Sequence, residues 1–125
     1  MKTPFRRYIS AQSNAGIAIA LNRRELPRVQ LFTGGQRGYP IVISADEAIA
    51  IRQALASRTN TDIPIAGEGC TLRTARLHGL TRLELHWPCR WIEPQQLLLN
   101  KAQSAFAQSA LEDLIETVIG KGAAA

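Results

Sequence analysis

Cations and flat rings recur at strand spacing in the first forty residues. Residues Phe5 to Gln12 alternate, with Phe5, Arg7, Ile9 and Ala11 on one side and Arg6, Tyr8, Ser10 and Gln12 on the other. Arg28 to Thr33 alternates again, with Val29 and Leu31 inward and Arg28, Gln30 and Phe32 outward. Arg23, Arg24, Arg37 and Tyr39 lie close by in the chain. Cations neutralise phosphates, and aromatic rings stack on bases at about 1–3 kcal/mol each. A sheet face carrying both in rows is suited to a splayed single strand of nucleic acid, read largely without regard to sequence. Tyr8, Phe32 and Tyr39 are the candidate stacking rings. Arg6, Arg7, Arg23, Arg24, Arg28 and Arg37 are the candidate phosphate contacts. The competing reading is a solvated face whose arginines only confer solubility.

These side chains need a sheet and something to back it. Gly16 to Asn22 forms another alternating strand, with Ile17, Ile19 and Leu21 on one face. Gly16, Ala18 and Ala20 on its other face would let a backbone or ligand come close. Pro27 marks a strand start, and Gly34-Gly35-Gln36-Arg37-Gly38 is a glycine-rich connection. A fourth strand, Tyr39 to Ile43, runs into a helix ending near Ser57. Ser44 and Glu47 have capping-box spacing, and Ala48, Ile51 and Leu55 share a helix face. The second half repeats the plan in shorter form. Ile63-Pro64-Ile65 reads as an edge strand, and Thr71–Leu77 with Thr81–Trp87 as a hairpin turning at His78-Gly79-Leu80. Pro94 is expected at the first position of a long helix reaching Ile119 and closed by Gly120. A break near Ser109 is possible because Ser109 and Glu112 repeat the capping-box spacing. The pattern is α+β, one domain over residues 1–125: strands plus a first helix over 1–57, hairpin plus long helix over 63–119, and a frayed tail over 120–125.

Arg7-Tyr8-Ile9-Ser10, the apolar strand ending in Arg23-Arg24, the Gly35-Gln36-Arg37-Gly38 loop and the Ile41–Glu47 entry into the helix resemble the PC4 family of transcriptional coactivators. That family and the related Whirly fold place a curved antiparallel sheet against helices. They bind single-stranded DNA as dimers or higher oligomers. The resemblance implies that Arg7, Tyr8, Arg23 or Arg24, and Arg37 sit on the nucleic-acid face, and that DNA is favoured over RNA. It covers residues 5 to 57. Gln36 stands at a basic position of the pattern, and no aromatic follows Arg24.

Charge agrees with an anionic partner. The chain has 125 residues, a net charge of +5 and a pI near 9.9. Its first forty residues hold seven cations against Glu25, whereas Glu93, Glu112, Asp113 and Glu116 outnumber Lys101 and Lys121 from residue 93 onward. Two cysteines, the lack of a signal-like segment and no apolar run of membrane length lead to the expectation of a soluble, cytoplasmic protein with no membrane partner. Cys70, His78, His86 and Cys89 are ligand types that zinc takes, but no Cys-x-x-Cys or His-x-x-x-His pair occurs, so neither metal nor cofactor is assigned. The sequence shows no nucleophile elbow, phosphate loop, carboxylate cluster or His–carboxylate pair, which argues against an enzyme. Trp87 continues the inward series of its strand and reads as an anchor. Trp91 is open to either role, and Arg90 between them, with Arg73, Arg76 and Arg82, would extend a basic surface. The apolar side of the long helix is broad, so Phe106, Leu114 and Val118 are the candidate contacts of a homodimer or higher homo-oligomer. The alternative function, a protein–protein adaptor or assembly subunit, would use the same helix.

Overall fold

In a computed structural model of the chain, the structure describes residues 5–11, 14–21, 24, 26–33, 36–57, 59–89 and 91–123, with backbone alone at 36–37 and 119–123. The architecture is α+β, with two antiparallel sheets and two helices. The first sheet orders β1 (Arg6–Ser10), β2 (Gly16–Leu21) and β3 (Pro27–Thr33) side by side. Two short strands, β4 (Gln36–Arg37) and β5 (Ile41–Val42), follow one another along the far side of β3. The second sheet is a meander of β6 (Thr61–Ile65), β7 (Cys70–Leu77), β8 (Leu80–His86) and β9 (Gln95–Leu99). His78 and Gly79 join β7 to β8 with successive positive φ of 47° and 81°, the backbone of a primed hairpin turn.

Helix α1 (Ala45–Ser57) starts where the sequence places it. The Ser44 amide donates to Glu47 Oε1 at 2.8 Å, and the Glu47 amide donates to Ser44 Oγ at 3.1 Å. Glu47 Oε2 also accepts from the Ala66 amide at 3.0 Å, tying the helix entry to the second sheet. Helix α2 (Lys101–Ala123) packs against α1 and touches both sheets. Its buried residues Ser104, Ala107, Leu111 and Leu114 recur at three- and four-residue steps. Small Ala107 and Ala110 allow a close approach of the helices. The inner faces, Ile17, Ile19, Val29 and Leu31 from one sheet and Leu72, Leu83, Leu85, Leu97 and Leu99 from the other, close a shared core. Each such side chain contributes about 1.5–3 kcal/mol by leaving water.

Several expectations are corrected. Pro94 does not open the long helix. Gln95–Leu99 instead pairs with β8 from Thr81↔Leu99 to Leu85↔Gln95, which buries Leu97 and Leu99 while Leu98 faces out. The helix begins after Asn100, whose Oδ1 accepts from the Gln103 amide at 2.8 Å while Gln103 Oε1 accepts from the Asn100 amide at 2.9 Å. It runs unbroken past Ser109 and through Gly120, so neither residue ends it. Its last residues, Gly122 and Ala123, belong to the helix, and positions 124–125 lie outside the described residues. The fourth strand expected over Tyr39 to Ile43 shortens to Ile41–Val42, and the stretch expected as a glycine-rich connection contributes a two-residue strand of its own at Gln36–Arg37, with Tyr39 in the gap between the two.

Candidate nucleic-acid interface

Strand register assembles the outer face of the first sheet into three rows. Arg6, Ala20, Arg28 and Val42 form one; Tyr8, Ala18 and Gln30 the next; Ser10, Gly16, Phe32 and Arg37 the third. Each row steps across strands about 4.8 Å apart, so Arg6 and Arg28 flank Ala20 with backbones roughly 10 Å from each other. The middle strand contributes only Gly16, Ala18 and Ala20 to this face. All three are buried, forming a floor beneath the longer side chains of β1 and β3. Tyr8 uses that room. A Cβ at Gly16 would overlap the Tyr8 hydroxyl, and the Tyr8 ring reaches Phe32 edge-to-face with centroids 5.7 Å apart. The small residues expected to admit a ligand therefore first admit a tyrosine, which stays 52% exposed.

Charge separates this face from its counterpart. On the outer face of the second sheet, Arg73 Nε donates to Asp62 Oδ1 at 2.8 Å, and Glu84 contacts both Arg82, at 2.6 Å, and His86, at 2.5 Å. Cation meets carboxylate there, strand by strand. The outer rows of the first sheet hold no acidic residue, and Arg6 and Arg28 have no carboxylate partner among the described residues. That leaves Arg6 and Arg28 on the same face as Tyr8 and Phe32, one and two rows away, with no counter-charge among the described residues.

The other candidates distribute as follows. Alternation turns Arg7 away from Tyr8, its guanidinium lies 4.7 Å from the Phe5 ring centroid, and Nη1 donates to the Arg6 carbonyl at 3.1 Å. It lines a groove of about 450 Å³ between β1 and α2, together with Phe106, Ala110 and Asp113. Arg24 is exposed in the β2–β3 turn. Arg23, the Arg37 side chain and Arg90 lie outside the described residues. Tyr39 is 64% exposed and meets Trp87 edge-to-face at 5.9 Å, so Trp87 anchors to a tyrosine of the first sheet as well as packing on the core. Sequence reasoning did not find that ring pair, because it forms across the seam between sheets and has no periodic signal. Of the three residues assigned to an oligomer contact, Phe106 is 65% exposed, Val118 packs against the core and Leu114 is wholly buried. Leu114 is thus enclosed within the single chain, since α1 and the sheets cover more of α2 than the sequence implies.

Cys70 lies in the core, where burial, with Glu68 nearby, pushes its thiol up to about 11. No group of three or more metal-ligand side chains converges among the described residues. His86 and Glu84 do form a His–carboxylate pair, which the sequence reading overlooked. Arg82 contacts the second carboxylate oxygen, and no hydroxyl or thiol is hydrogen-bonded to His86 among the described residues, so the pair lacks a group to activate. No described helix is long and apolar enough to cross a membrane.

Comparison with known structures bears on the scaffold. The chain is similar in fold to the plant transcriptional regulator PBF-2. The likeness has a TM-score of 0.62 at 15% sequence identity and spans 99% of this chain and 87% of the other. It is a Whirly-type fold, as the resemblance in the first half of the chain implies. No family model and no curated protein matches the sequence.

Proposed function

We propose that the chain binds single-stranded nucleic acid, DNA in preference to RNA, on the outer face of its first sheet and without catalysing a reaction. The observation that carries this reading is the composition of that face: Arg6 and Arg28 on the same face as Tyr8 and Phe32, with no acidic residue among the rows. A single strand exposes phosphates and bases together, and this face offers a partner for each. The preference for DNA rests on the PC4 and Whirly resemblance, and the shared fold with a transcriptional regulator is in keeping with it.

Fluorescence anisotropy of a labelled single-stranded oligonucleotide, beside its duplex, over a salt series tests the proposal. Tighter binding of the single strand, weakening steeply with salt, is expected. Equal binding of both forms, or none at low salt, overturns it.

A second reading is favoured by one observation: Phe106 projects from α2 beside the groove along β1. In this reading the chain associates through α2, either with its own copy or as an adaptor. Light scattering on the wild type and on Phe106→Asp checks it. A larger species that the substitution dissociates supports association with its own copy, and a monomer in both excludes that form of it.

A further inference from the structure

Pairing along β3 changes register between β4 and β5. Phe32 faces Arg37 and Val29 faces Ile41, so three residues, Gly38 to Pro40, span the space opposite two, Leu31 and Gln30. That is a β-bulge, a device that turns one side chain out of the pleat. Here the residue it turns is Tyr39. The bulge is pinned at Gly38, immediately before that ring, through both the amide and the carbonyl of the glycine. The Gly38 amide donates to the Leu31 carbonyl at 2.8 Å, and Gln30 Nε2 donates to the Gly38 carbonyl at 2.7 Å. A Cβ at Gly38 would overlap both the Leu31 carbonyl and the Gln95 carboxamide, so β9 of the second sheet is pressed against the bulge. Pro40 restricts the backbone immediately after Tyr39.

We infer that Tyr39 and Trp87 form a second base-stacking platform, at the seam of the two sheets, for the same single strand that the Tyr8–Phe32 face holds. The inference rests on the proposed function and extends it across the seam. Tyr39 is two residues from Arg37, the cross-strand partner of Phe32, which places its backbone about 7 Å along the strand direction from the level of Phe32. Edge-to-face packing at 85° leaves flat ring surface in the pair that the two rings do not use on each other. Trp91, 84% exposed, and Ile92 continue the apolar surface beyond Trp87. A tyrosine held outward by a pinned bulge loses little conformational freedom when a base stacks on it, which favours binding.

Trp87 and Trp91 are the chain's two tryptophans, so its intrinsic tryptophan emission arises at this seam. The test combines emission from Trp91→Phe, in which Trp87 is the one reporter, with anisotropy of a fluorescein-labelled oligothymidylate. The expected result is quenching of Trp87 over the same oligonucleotide range as the anisotropy rise. Tyr39→Ala should then weaken binding about 5- to 150-fold, and Tyr39→Phe should retain it. An anisotropy rise with unquenched Trp87, or quenching with unchanged affinity in Tyr39→Ala, overturns the platform and leaves the sheet-face reading in place. No anisotropy rise at low salt overturns both.

Discussion

Removing Arg6 and Arg28 together should change the salt dependence of single-strand binding by an amount fixed in advance. The two flank Ala20 in one row, on the side of the sheet away from the core, and have no carboxylate partner among the described residues. Replacing both with alanine therefore leaves the ladder and the core untouched. Each phosphate contact on a single strand contributes about 0.7 to the slope of log K against log salt, so losing two should reduce the slope by about 1.4. The same term weakens binding about 25-fold at roughly 0.1 M salt and has no effect near 1 M. Arg7→Ala is the control. It removes the same charge from the adjacent position, but its guanidinium lies beside Phe5 and lines the α2 groove. Its slope should equal that of the wild type. Anisotropy titrations at several salt concentrations give all three slopes. If Arg7→Ala lowers the slope by half as much as the double substitution does, net charge rather than the face governs binding, and the site assignment is wrong.

Other expectations concern the scaffold. Ser44→Ala removes the hydroxyl that accepts from the Glu47 amide and should cost about 1 kcal/mol, or about 3–5 °C in thermal denaturation. Glu47→Ala should cost more, because its carboxylate accepts from two amides, those of Ser44 and Ala66, and both bonds are lost. Burial keeps the Cys70 thiol protonated in the fold up to about pH 11, against 9.0 for a solvated thiol. The folded chain therefore binds more protons than the unfolded one in that window. The stabilising contribution is complete below pH 9 and is lost as pH rises toward 11, and denaturant midpoints of wild type and Cys70→Ala across that range should show it. Thiol labelling at pH 8 should modify Cys89, which is partly exposed, well before buried Cys70.

Alternation alone is enough to place the first three strands and to sort their faces, because a half-buried strand leaves one face apolar and the other free. Ile9, Ile17, Ile19, Val29 and Leu31 satisfy that pattern without competition. The same logic fails at Gln95–Leu99. Three successive leucines give neither a two-residue nor a four-residue period, and Pro94 suits a helix start as well as a strand entry. The decisive signal was the Asn100–Gln103 box, which has the spacing of the Ser44–Glu47 box but with amide side chains. At Arg7 two readings of the sequence diverge. The resemblance to PC4 proteins puts it beside Tyr8, whereas strand alternation puts it on the opposite face, where the structure has it.

The aromatic seam marks where local pattern stops carrying information. Nothing in Gly38-Tyr39-Pro40 distinguishes a bulge from a continuous strand until the pairings at Arg37 and Ile41 are both known. The extra residue exists because two sheets must meet there: β9 presses Gln95 against Gly38, and only a residue without a Cβ fits between it and the Leu31 carbonyl. The contact that joins the sheets thus also turns Tyr39 outward onto Trp87. Gly38→Ala should consequently act at two levels, loosening the junction of β3 with β9 and releasing the Tyr39 ring. On the outer sheet face, Gly16 has the corresponding part, since only its missing Cβ lets Tyr8 lie down beside Phe32. Both exposed ring pairs depend on a glycine rather than on their own packing. A surface kept only for solubility has no need of that.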